Sequence, residues 1–271
     1  MSNIDLKILV CCHKEGLIPK AAPYFPIQVG KELSKVDLEI QGDNTGDNIS
    51  IKNVNYCELT ALYWAWKNLK DIKYIGICHY RRYFDLSSPI SWNTEPFNIN
   101  DDVIPSIVLD NISILLRKYD IILPGKSYLY NSIRDSYSIG HSRYDYQILE
   151  KVITELTPDY LSSFYYVSDH THSYCPCNMM ICSKDLFDEY CNWLFTILFE
   201  VERRLDITDY DNYQKRIFGF MSERLLNVFV YHKKLKVAYR PIVALIDKPS
   251  PSRLKCFLHR IKTELAFSLI K

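Results

Sequence analysis

Glycine is scarce in this sequence, and its scarcity excludes several classes of protein. Only 8 of 271 residues are glycine. No G-x-G-x-x-G, no Walker A loop and no G-x-S-x-G string occurs. Dinucleotide redox chemistry, P-loop nucleotide hydrolysis and a nucleophile-elbow serine hydrolase are therefore disfavoured. An excess of charge of one sign is also missing. The 33 Lys and Arg nearly balance the 32 Asp and Glu, so no bulk affinity for nucleic acid is expected. No run of about 18 apolar residues marks a membrane span, and the N-terminus lacks a basic-then-apolar leader. Nine cysteines are scattered without a CxxC pair, and Cys175 and Cys177 form only C-x-C. They read as reduced core thiols of a reducing compartment, not as a zinc or redox site. A cytoplasmic protein is expected.

Hydrophobic residues make up 48% of the chain, enough for one sizeable α/β core. Leu6 to Cys12 reads as a first strand, with His13 and Lys14 at its carboxyl end. Tyr74 to Cys78 is a second short apolar run. It changes at once to His79-Tyr80-Arg81-Arg82-Tyr83-Phe84. In open α/β sheets ligands sit outside the carboxyl ends of strands, and two adjacent guanidinium forks suit phosphate oxygens. Further along, Ile107–Arg117 and Lys184–Arg204 read as helices, Tyr119–Leu123 and Cys177–Cys182 as strands. Lys126, Tyr128, Arg134 and Tyr137 are expected to crowd one loop. Asn55 with Glu58 three residues on reads as a capping box. Ser91 to Val103 reads as a polar surface excursion.

Two strings are distinctive: Tyr56-Cys57-Glu58-Leu59-Thr60-Ala61-Leu62-Tyr63-Trp64-Ala65-Trp66-Lys67-Asn68, then Gly76-Ile77-Cys78-His79-Tyr80-Arg81-Arg82-Tyr83-Phe84. Together they resemble the DUF4422 domain of bacterial capsule, exopolysaccharide and lipopolysaccharide glycosyltransferases. The resemblance runs from about Ile8 to Leu226. It implies a GT-A-like fold: a single Rossmann-type nucleotide-sugar-binding domain with a mixed central sheet flanked by helices. It also implies sugar transfer from a nucleotide sugar. UDP and galactose, as pyranose or furanose, are the favoured donor by this analogy. The acceptor is a growing surface glycan, lipid-linked in the favoured reading. The 21 Tyr and 12 Phe suit such ligands, because a ring stacks on a pyranose face.

The resemblance implies donor contacts at His13, Lys14, Asp47, Asn48, Tyr80, Arg81 and Arg82. Asn178, which opens a strand, is implied as a further sugar contact. Glu58 reads either as a donor contact or as a cap. Glu223, inside the family-like Gly219-Phe220-Met221-Ser222-Glu223-Arg224-Leu225-Leu226 string, is the candidate general base. His79 and His141 are the other candidate catalytic groups, with His141 and Asp145 expected on one helical face. No metal is required in the favoured reading. The alternative is a Mn²⁺- or Mg²⁺-dependent enzyme using the D-x-D pair Asp209 and Asp211, whose hard oxygens suit such ions. A rival of another class is a non-catalytic carbohydrate-binding or scaffold protein. Residues 1–248 are expected to form the catalytic domain. Residues 249–271 form a basic amphipathic helix, with Leu254, Phe257, Leu258, Ile261 and Leu265 on one stripe. That helix either lies on the inner face of the cytoplasmic membrane or docks on its own domain.

Overall fold

The computed structural model describes residues 4–19, 21–88, 99–101, 104–246 and 252–270. Its first strand, β1 (Leu6–Cys12), shows why the sheet is buried on both faces. Leu6, Ile8, Val10 and Cys12 pack into one core cluster, while Leu9 and Cys11 pack into the other. Successive strand side chains alternate faces, so a continuous apolar run needs cover on both sides. β1 pairs in parallel with β2 (Tyr24–Gln28), which continues to β3 (Gln41–Gly42). On its other side β1 pairs in parallel with β4 (Tyr74–His79). A tight turn joins β4 to β5 (Arg82–Phe84). The remaining strands are β6 (Ile99–Asp101), β7 (Ile121–Pro124), β8 (Ser127–Tyr128), β9 (Ser173–Tyr174), β10 (Met180–Ser183), β11 (Val237–Arg240) and β12 (Ile242–Leu245).

The sheet order is β11-β7-β10-β4-β1-β2-β3, with β5, β12 and β6 as a side branch. β10 runs antiparallel to both β4 and β7, so the sheet is mixed, as expected. Gly76 sits at its middle, where strands crowd. A Cβ there would lie 2.9 Å from Ile181 Cγ1 and 3.1 Å from Ile8 Cγ1. Only hydrogen fits without displacing those side chains.

Helices close both faces. The first stretch is α1 (Asn53–Tyr56) and α2 (Leu59–Asn68), and α3 (Leu109–Lys118) covers the opposite face through Ile112 and Leu115. The α2 face is shared by α4 (Ile133–Gly140), α5 (Arg143–Leu156), α6 (Leu161–His170), α7 (Lys184–Arg204) and α8 (Ile217–His232). α7 has the bounds its periodicity predicts, and its Ser183 hydroxyl caps it by accepting from the Leu186 amide at 3.3 Å. Such a cap contributes about 1 kcal/mol.

Two expectations fail locally. Asn55 is not a cap: it lies inside α1, and its side chain donates to the Lys215 carbonyl at 2.9 Å. The left-handed Cys57 (φ 52) interrupts the helix just before Glu58. Arg134 and Tyr137 belong to α4, not a loop. Arg134 is engaged there by Glu150 and by Asp169.

The last helix is α9 (Arg253–Ile270). The expected boundary between residues 248 and 249 lies outside the described residues, as does most of the Ser91–Val103 excursion. One side of α9 docks on the domain. Thr263 and Phe267 are buried, and the Phe267 ring stacks on His172 at 4.5 Å. His259 Nε2 lies 3.3 Å from the Tyr128 carbonyl oxygen. Among the described residues no helix is long and apolar enough to cross a membrane.

Candidate active site

The apolar-to-charged switch after Cys78 becomes a hairpin at the carboxyl edge of the sheet. β4 ends at His79, Tyr80 and Arg81 make the turn, and Arg82 opens β5 opposite His79. Burial of Tyr80, Tyr83 and Phe84 pins this hairpin, and the Tyr83 hydroxyl donates to the Tyr80 carbonyl at 3.3 Å. Both guanidinium groups are left exposed. The Arg81 guanidinium lies 5.1 Å from the Tyr80 ring centre, a cation–π distance.

The hairpin forms one wall of a cleft of about 570 Å³. Cys11 and His13 contribute from the end of β1. Cys57 and Glu58 contribute from the α1–α2 junction, Cys177 from the approach to β10, and Arg216 and Glu223 from α8 and the turn before it. Thus His13, Glu58, His79, Tyr80, Arg81, Arg82 and Glu223 meet as expected. They converge because β1 and β4 are parallel neighbours whose carboxyl ends share an edge.

Glu223 is held from two sides. Its Oε1 accepts the Cys177 backbone N–H at 2.8 Å, and its Oε2 accepts from Arg224 Nη1 at 2.9 Å. Burial pushes its carboxyl pKa above the ordinary value. The nearby Arg224 charge opposes that rise, Glu58 adds to it, and the Cys177 amide and Arg82 oppose it further. The Arg224 guanidinium is itself clamped 4.8 Å from the Tyr174 ring centre.

His79 is oriented by the same backbone. Its Nε2 donates to the Cys177 carbonyl at 2.7 Å. A carbonyl only accepts, so Nε2 carries the proton and, in the neutral ring, Nδ1 keeps its lone pair. His13 packs edge-on to Tyr80 at 5.1 Å. Its pKa is lowered, first by desolvation and then by the Lys14, Arg81, His79 and Arg216 charges.

Asn178 is a correction. Its side chain is fully buried and serves the protein instead of facing a ligand. Nδ2 donates to Glu58 Oε1 at 2.7 Å and to the Gly219 carbonyl at 3.3 Å, while Oδ1 accepts from Ser222 Oγ at 2.9 Å. Cys177 and Asn178 both take left-handed φ, 71° and 50°. With Cys57, three of the five positive-φ non-glycine residues among the described residues stand at this cleft or directly behind it. Strained backbone of this kind concentrates at functional sites.

Other expected residues fall elsewhere. Lys14 is exposed and does not line the cleft. Asp47 accepts from the Tyr63 hydroxyl at 3.1 Å, and Asn48 bonds within its own loop, to the Gly46 carbonyl and the Ser50 amide. Neither lines the cleft. His141 is not on a helical face with Asp145. It follows α4 in extended conformation, bonds Gln214 Oε1 at 2.9 Å and stacks on Phe220 at 4.3 Å. Asp145 is buried in α5 and accepts from the Tyr210 hydroxyl at 2.6 Å.

Neither Asp209 nor Asp211 of the D-x-D pair lines the cleft. Asp211 Oδ1 accepts two backbone amides, from Tyr213 at 2.8 Å and Gln214 at 2.7 Å, and of Asp209-Tyr210-Asp211-Asn212 only Asn212 lines the cleft. Among the described residues, no three His, Cys, Asp or Glu side chains come together as metal ligands.

Sequence reasoning missed Arg216. Its Nε donates to Cys57 Sγ at 3.3 Å, and it lines the same cleft as the hairpin arginines. The Cys57 thiol is pushed up to about 11, chiefly by burial, so it stays protonated at neutral pH. The only local signal for Arg216 was a cation just before the α8 apolar run, which any helix start can carry.

The fold and the cleft define an α/β protein with a cluster of arginines and two carboxylates at the carboxyl edge of a mixed sheet. The chain belongs to the DUF4422 family, described as a domain of unknown function, whose model matches residues 7–234. It is similar to the apo structure of the bifunctional glycosyltransferase WbbM, at 31% identity and a TM-score of 0.82. That similarity covers 90% of this chain and 46% of WbbM, so the chain spans about half of that protein's length. No curated protein matches it.

Proposed function

We propose that this protein is a glycosyltransferase that moves one sugar from a UDP-sugar to a hydroxyl of a growing surface glycan. The observation that carries the reading is the pairing, in one cleft, of cationic forks with a carboxylate held by the Cys177 amide and Arg224. Arg81, Arg82 and Arg216 hold the donor diphosphate, and His13 lies beside them at the rim. In the reaction the bond from the sugar anomeric carbon to the diphosphate oxygen breaks, and a bond to the acceptor oxygen forms. Glu223 takes the acceptor proton, while the arginines neutralise the charge that develops on the leaving diphosphate. His79, with its Nδ1 lone pair free to accept, orients a sugar or acceptor hydroxyl. Guanidinium groups do here what a divalent ion does in D-x-D enzymes, which accords with the engagement of Asp211 in its own turn.

The fold shared with WbbM supports the transferase reading. The family resemblance favours galactose, as pyranose or furanose, and a lipid-linked acceptor. Incubation with a panel of UDP-sugars and an acceptor glycan tests the proposal. Release of UDP with a glycosylated product is expected for one donor. Tight UDP binding without release or product from any donor would make the protein a binder instead.

A further inference from the structure

α9 presents two faces of opposite character. The face through His259, Thr263 and Phe267 is docked on β8 and on His172, just before β9. The other carries Leu254, Phe257, Leu258 and Leu265, spaced three, four and seven apart, with Leu269 one turn further. Docking leaves these side chains in water: Leu254 is 65% exposed, Phe257 57%, Leu265 60% and Leu269 86%. A contiguous apolar stripe outside a core marks a contact surface, not scattered surface residues.

Charge selects the occupant. Ser252 to Lys271 carries five cations, Arg253, Lys255, Arg260, Lys262 and Lys271, against one acid, Glu264. That acid is held by Arg260 at 2.8 Å. Lys255 and Lys262 are exposed and flank the stripe, where long side chains reach outward while their stems stay apolar. An apolar stripe edged by cations fits the headgroup layer of an anionic bilayer.

The docking place matters too. β4 and β7 both run antiparallel to β10, so their carboxyl ends share one edge of the sheet. The cleft lies at the end of β4, and β8 begins three residues after β7. β9 leads directly into Cys177, the backbone support of Glu223. α9 therefore rests on the small β8–β9 sheet, which follows the sheet edge that carries the cleft.

We propose that α9 seats this domain on an anionic lipid bilayer through its exposed stripe, with the cleft edge of the sheet held near that surface. This does not depend on the reaction assigned to the cleft, and its test involves no turnover. The full chain is sedimented with phosphatidylcholine vesicles, with and without 30% phosphatidylglycerol. It is expected to pellet with the anionic vesicles, far less with the neutral ones, and progressively less as salt rises. Lys255→Gln with Lys262→Gln should weaken the partition coefficient by about 30-fold, at about 1 kcal/mol per cation. Leu258→Gln with Leu265→Gln should weaken it by at least about tenfold. All four positions are solvent-exposed, so circular dichroism and melting should match the parent. Equal pelleting of parent and variants overturns the proposal. So does concentration-dependent dimerisation without vesicle binding, abolished by the leucine changes, which would make the stripe a contact between copies.

Discussion

One backbone unit joins two of the side chains that face the cleft. The Cys177 N–H donates to Glu223 at 2.8 Å, and the Cys177 carbonyl accepts from His79 at 2.7 Å. Cys177 holds this position with φ at 71°, so the carboxylate and the imidazole are set by a residue outside the preferred backbone regions. Burial of Glu223 raises its pKa, and the consequences for activity and stability have definite signs.

As a general base Glu223 works only when ionised. The acidic limb of kcat/KM is therefore expected above the ordinary glutamate value of about 4.3. The stability effect runs the opposite way. A carboxyl whose folded pKa is raised prefers its proton in the folded state. Its contribution is fully present below the unfolded value and is lost as pH rises through the folded one. A pH–rate profile checks the first statement. A limb at or below the unperturbed value would remove Glu223 from the role of base.

Arg81, Arg82 and Arg216 line the cleft from two elements, the β4–β5 hairpin and the turn before α8. Replacing any one with Ala should weaken UDP binding by roughly 1.5–3 kcal/mol, the range of charge-assisted hydrogen bonds. Calorimetry reads this directly. An unchanged affinity for Arg216→Ala would leave the diphosphate to the hairpin alone.

Asn178 is expected to matter through stability and through the position of Glu58. Asn178→Gly keeps a backbone that accepts φ near 50° but deletes the bonds to Glu58, Gly219 and Ser222. It should cost about 1–3 kcal/mol, because buried partners lose their bonds. Asn178→Ala should cost about 1 kcal/mol more for the left-handed backbone. Urea unfolding ranks the two. An alanine variant more stable than the glycine variant would contradict the strain argument.

His141 is expected to be structural. His141→Ala removes the Gln214 bond and the stack on Phe220. Stability should fall by about 1–3 kcal/mol, with kcat within about threefold of the parent. A hundredfold loss of kcat at unchanged stability would return His141 to the catalytic set.

Much of the fold was legible because strand and helix signals are local. Leu6–Cys12 and Lys184–Arg204 declare themselves by period and composition, and both have the expected bounds. The hairpin arginines were legible because charge follows an apolar run without a break. What stayed hidden depends on contacts across long sequence separations. Arg216 joins Arg81 only after α8 packs behind the sheet. The Asn178 side chain is buried against Glu58, Gly219 and Ser222, partners 40 or more residues away that no spacing rule reports. Asn55 had the cap pattern, but Cys57 breaks the helix that the pattern assumes. α9 meets the docking reading through Thr263 and Phe267, while its other face stays exposed.

The central claim is that Glu223 accepts the acceptor proton in a cleft that binds UDP by other groups. Its most direct test is single-turnover glycosyl transfer by Glu223→Gln, beside calorimetric UDP affinity for the same protein. Glutamine keeps an oxygen for the Cys177 amide, so fold and UDP affinity should match the parent while the transfer rate falls by about 10²-fold or more. A transfer rate near that of the parent, at equal UDP affinity, would contradict the account.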